Sequence, residues 1–181
     1  MFRPRHTITA VLVALTLGVP AVAAATPTTP RPSATTQVLH LHIPAIGGIE
    51  AGPGGVPGGS FQPVTVIAQP GIRTLQYPPP PPTVSFTVAD PAPYHAQYSY
   101  RYLQISWRNL QNGKTGAAQL RHWDKPAHPV DGYPASLPTS AIAQTGAGPV
   151  VATVTVLREQ YQRPPTTISV IPGLSAIAVP A

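Results

Sequence analysis

The stretch YSYRYLQISWRNLQNGKTGAAQLRHW, residues 98–123, decides the fold. Asn112-Gly113 stands within it, and this dipeptide is the strongest short hairpin signal because a two-residue type I′ turn needs positive φ at both positions. Folding the chain about that turn sets Gln111 against Lys114, Trp107 against Ala118, Ile105 against Leu120 and Leu103 against His122, all on one face. The opposite face then carries Arg108 with Ala117, Ser106 with Gln119, Gln104 with Arg121 and Tyr102 with Trp123, and Tyr100 and Tyr98 continue the row. Arg101 meets Asp124 on the apolar side. A slip of one residue would set Ile105 against Gln119 and Leu103 against Arg121, mixing core and solvent groups, so burial favours the first register.

Period-two alternation recurs on both sides of this hairpin. Leu39, Leu41 and Ile43 alternate with Val38, His40 and His42; Val64, Val66 and Ala68 form a second set; Val84, Phe86 and Val88 form a third against Thr83, Ser85 and Thr87. Residues 97–108, 115–123, 149–158, 166–171 and 174–179 read as further strands, about seven to nine in all, punctuated by Gly and Pro turns. No segment has helical periodicity, and 26 Pro among 181 residues disfavour helix interiors throughout. The expected fold class is all-β: a single antiparallel β-sandwich, immunoglobulin-like, over residues 37–181. Residues 47–59 are too Gly-rich to order themselves cheaply, and residues 78–82 must run as polyproline II.

Upstream, residues 1–7 carry Arg3, Arg5 and His6 without an acid, residues 8–19 are mostly apolar, and Ala23 and Ala25 fit a small-x-small cleavage pattern. A Sec signal peptide over 1–25 and a Pro/Thr-rich disordered linker over 26–36 are the expectation, with secretion to the extracellular space or the cell envelope. The apolar run is too short for a membrane span of about 20 residues, so no transmembrane segment is expected in the mature chain. Removing the signal leaves a formal charge of about +4, spread without a run. That suits a mild preference for anionic surfaces and not dedicated nucleic-acid binding.

Catalytic chemistry has little raw material. With no Cys there are no disulfides, thiolate nucleophiles or Cys-ligated zinc, and only five residues carry carboxylates. Glu50 and Glu159, the only glutamates, read as solvated charges. No G-x-S-x-G is present, and Gly146-Ala147-Gly148 precedes a strand and reads as a turn. A non-catalytic protein without a cofactor is therefore expected.

Binding chemistry is better supplied. Tyr98, Tyr100, Tyr102 and Trp123, bordered by Gln104, Arg108 and Arg121, would place flat aromatic rings beside amide and guanidinium donors. Such a face suits a sugar ring or an extended peptide, so the expected partner is an envelope polysaccharide or an extracellular protein. His40 and His42, at i and i+2, would lie about 7 Å apart on one side of a strand, and His122 could complete an alternative metal site for an extracellular hydrolase. A third reading is a structural subunit whose Gly/Pro segments order only within a surface assembly. The signal segment, the Thr/Pro linker, the lack of Cys and the small β domain rich in Ala, Pro, Val and Thr resemble small exported proteins of high-GC bacteria, some of which are immunoglobulin-like sandwiches. The resemblance is compositional and implies a fold and export, with no functional residue.

Overall fold

Alternation of apolar with polar residues produces strands with one buried face, and the chain assembles them into two antiparallel sheets packed face to face. In a computed structural model of the chain, residues 40–48, 50–51, 57–71 and 76–181 are described. The expected signal peptide and linker, and the strand positions Val38 and Leu39, lie outside the described residues. In chain order the strands are β1 (Leu41–Gly47), β2 (Glu50–Ala51), β3 (Pro57–Gly58), β4 (Gln62–Pro70), β5 (Val84–Val88) and β6 (Arg101–Asn109). There follow β7 (Thr115–Leu120), β8 (Ser140–Ala143), β9 (Gly148–Gln160), β10 (Arg163–Thr167), β11 (Ser169–Ile171) and β12 (Gly173–Val179). The first sheet has the order β11-β1-β4-β5-β8; the second has β10-β9-β6-β7, with β12 also pairing β9. No helix among the described residues is long and apolar enough to cross a membrane.

The core lies between the sheets. Ile43, Val64, Val66, Ala68, Val84, Phe86 and Val88 point inward from the first sheet, as the alternation predicts, and Ala45 joins them. Leu103, Ile105, Trp107, Leu120, Val150, Ala152, Val154 and Val156 meet them from the second. β8 escapes the sequence pattern because it is short and Ala-rich, yet it extends the first sheet beside β5, with Ala141 opposite Phe86.

The central hairpin differs from the expected register by two residues. Leu103 pairs with Leu120, Ile105 with Ala118 and Trp107 with Gly116. A two-residue slip preserves which side chains point inward, so the burial argument could not detect it. Two local causes select the observed pairing. Asn109, fully buried, accepts from the N–H groups of Gln111 and Asn112 through Oδ1, while its Nδ2 donates to the carbonyls of Thr145 and Ala147. This side chain organises a four-residue loop, 110–113, in which Gly113 alone takes a positive φ of 72°. Across the strands, the Trp107 ring lies over Gly116, where a Cβ would come within 2.5 Å of Cζ2. The Ala118 expected opposite Trp107 would not fit there.

The ends of the hairpin also depart from expectation. β6 begins only at Arg101, because His95 caps a 3-10 turn, Ala96–Tyr98, through its Nδ1. Tyr98 and Tyr100 therefore precede the strand. Arg101 pairs in the ladder with Arg158 and not with Asp124. Farther along, the single strand expected over 166–171 is divided between sheets: Thr167 pairs Leu157 of β9, whereas Ser169 pairs Gly47 of β1. Ile168 joins them, donating its N–H to Val156 O and accepting from Gly48 N–H through its carbonyl.

Candidate binding site

The expected aromatic platform is not an open face. Tyr102 and Trp123 are both buried. Tyr102 packs with Leu137 and Leu157 in a second, smaller cluster, and Tyr133 lies edge-on against it at 5.8 Å between centroids. The Tyr133 hydroxyl donates to Gln119 Oε1 at 2.6 Å, so the Tyr133–Ser136 turn closes over this part of the outer face. Burial, with Tyr133 and Glu159 nearby, pushes the Tyr102 phenol pKa above its ordinary value. Trp123 donates from Nε1 to Arg101 O, meets Tyr94 edge-on and lies under the Arg121 guanidinium. Arg121 in turn donates to the carbonyls of Trp123 and Leu137, clamping the covering segment in place. Gln104 is half-buried and accepts from Gln119 Nε2; Arg108 is exposed opposite Thr115. The seven expected site residues are thus dispersed: Tyr98 is half-buried beside Arg101 and His122, whereas Tyr100 is exposed.

Around Arg101, buried polar side chains form a cluster of their own. Glu50 is not a solvated charge: its carboxylate accepts from Arg101 Nε at 2.6 Å and also pairs with Arg158 Nη1. Arg101 is 1 % exposed, donates to Ser60 O and stands 5.5 Å from the Tyr98 ring centroid. Beside it, Gln62 Nε2 donates to His122 Nδ1 at 3.0 Å, which places the ring proton on Nε2. His122 Nε2, Arg101 Nη2 and Gln62 Oε1 are buried without a partner among the described residues. Spacing along the sequence gives no hint of this cluster, since Glu50, Gln62, Arg101 and His122 come from four separate segments.

Burial and the adjacent Arg101 charge lower the His122 pKa to about 4, a backbone hydrogen bond opposing them. The ring is therefore neutral in the folded chain, while the unfolded chain binds a proton below about pH 6.5. Stability should be complete above that pH and decline as pH falls from about 6.5 towards 4, by on the order of 3 kcal/mol. Urea midpoints across this range, with an NMR titration of the ring, check the expectation; a folded-state midpoint near the ordinary histidine value would contradict it.

Outside that cluster, a groove of about 740 Å³ is lined by Tyr100, Gly132, Arg158, Glu159, Gln160, Tyr161 and Arg163. It is built where β6 begins and the β9–β10 hairpin ends, with Glu159 N–H donating to Tyr100 O. Tyr161 is 87 % exposed and Tyr100 42 % exposed. Glu159 Oε2 accepts from Tyr133 N–H at 2.7 Å, tying one wall to the covering turn. Of the expected residues only Tyr100 belongs to this groove. Tyr161 and Arg163 were legible as an aromatic and a cation around a turn, but only the β9–β10 pairing brings them to Tyr100.

The three histidines of the alternative metal site are not brought together. His40 and His42 are exposed on the first sheet's side, whereas His122 is buried beside Gln62. Among the described residues no three His, Asp or Glu side chains form a group able to hold a metal ion. Comparison with known proteins finds no matching family model, no matching curated protein and no matching solved structure.

Proposed function

We propose that this chain is a non-catalytic extracellular binding module, exported by its N-terminal signal segment, that holds a surface or envelope polysaccharide in the Tyr100–Tyr161 groove. The immunoglobulin-like assignment is supported by the strand order, in which β5 to β6, β7 to β8 and β8 to β9 each cross between the sheets. The observation that carries the reading is the groove itself: two exposed tyrosine rings beside guanidinium and amide donors, mounted on a hairpin whose backbone is already paired. Aromatic faces take up the apolar side of a sugar ring while the polar rim orients its hydroxyls. The expected aromatic binding chemistry is thus kept, with Tyr100 retained and Tyr161 taking the place assigned to Tyr102 and Trp123.

Isothermal titration of the purified chain with solubilised envelope polysaccharide tests this. Saturable binding is expected, weakened about tenfold, or about 1.4 kcal/mol, by Tyr161→Ala. The Tyr161 ring contributes little to the core, so the variant should unfold at the parent temperature. Unchanged affinity in that variant would remove the groove from consideration.

A further inference from the structure

Resting on the groove reading, we propose that the preferred ligand is an acidic glycan whose sugar units carry carboxylates. The charge around the groove is unbalanced in one direction. Both oxygens of Glu50 are occupied, one by Arg101 and the other by Arg158, so two guanidiniums share one carboxylate. Arg101 and Arg158 are also direct partners in the β6–β9 ladder, where like charges repel. Arg163 is exposed and makes no ion pair with a described residue. Glu159, the groove's acid, already accepts from Tyr133 N–H. An incoming carboxylate thus finds Arg163 free and Arg158 only partly neutralised, beside the Tyr100 and Tyr161 rings. A guanidinium fork and a carboxylate match in geometry as well as charge.

The backbone argues for a glycan over an acidic peptide strand. An extended peptide would join a sheet edge through its main chain. At the groove β9 is flanked on both sides, by β6 and by β10, and the outer strand β10 contains Pro164 and Pro165, which have no N–H to offer. Recognition there must come from side chains.

The matched probes are polygalacturonate oligomers and the same oligomers with their carboxylates methyl-esterified, titrated into the full chain. The acid form should bind at least about tenfold tighter than the ester, and added NaCl should narrow the gap by screening these exposed charges. Arg163→Gln should weaken the acid form about tenfold and leave the ester unchanged. Equal binding of the two forms would overturn the acidic preference while leaving the groove reading standing. Failure of both forms to bind would also overturn it, and the envelope-polysaccharide titration would then show whether the groove reading survives. If the acid form binds but neither Arg163→Gln nor Tyr161→Ala weakens it, both readings fall together.

Discussion

A Glu50→Ala chain is expected to unfold roughly 10–15 °C below the parent, corresponding to a loss of about 3–5 kcal/mol. The carboxylate is the shared partner of Arg101 and Arg158, and Arg101 is almost wholly inside the protein. Burial already lowers the Arg101 pKa, with Tyr98 acting in the opposite direction, but a guanidinium does not shed its proton to escape. Without Glu50 its remaining contacts are Ser60 O and the Tyr98 ring, neither of which balances a full charge. Arg158 would face it across the ladder with nothing between them. Replacing Arg101 by methionine in the same chain should restore most of the loss, because the penalty arises from an unpaired buried charge and not from a missing attraction. Thermal unfolding of the single and double variants measures both effects. An unchanged midpoint in Glu50→Ala, or no recovery in the double variant, would contradict this account.

Trp123→Ala should cost a similar amount, about 3–5 kcal/mol, through a different mechanism. The ring has no exposed surface, packs against Tyr94 and carries the Arg121 guanidinium that holds the Ala135 and Leu137 carbonyls. Removing it opens a cavity beneath that clamp and leaves the Arg101 carbonyl without its indole donor. Denaturant midpoints should fall accordingly, and any loss of ligand binding in this variant would follow from damage to the fold. The contrast with Tyr161→Ala is the useful one, since that residue stands outside. A Trp123→Ala chain as stable as its parent would show that the indole is not the support described above.

Inside-outside alternation was readable where each apolar side chain had a polar neighbour: Ile43, Val64 to Ala68, and Val84 to Val88 face the core. Register was not, because period-two patterns are unchanged by a two-residue slip, and the choice fell to Asn109 and the missing Cβ of Gly116. Tyr98, Tyr100, Tyr102 and Trp123 look equivalent in a linear row. A 3-10 turn removes the first two from the strand, and Tyr133, thirty-one residues beyond Tyr102, covers the outer face. Glu50 looked solvated because nothing near it in sequence is basic; its two arginines arrive from β6 and β9. Contacts between segments distant in sequence decided the burial of Tyr102 and the pairing of Glu50, whereas side chains at the turns decided the register and the start of β6.

The sheet change at Ile168 bears on the order in which the chain can fold. β1 stands near the start of the described domain, yet its outer neighbour β11 lies near the end of the chain. Closing so long a loop is slow, and a chain made from its N-terminus releases β10, β11 and β12 last. Until then Gly48 lacks its Ile168 acceptor and β9 lacks its outer partners. Residues 163–179 therefore act as a latch: β10 and β12 close on β9 while β11 closes on β1, so one short segment fastens one layer to the other.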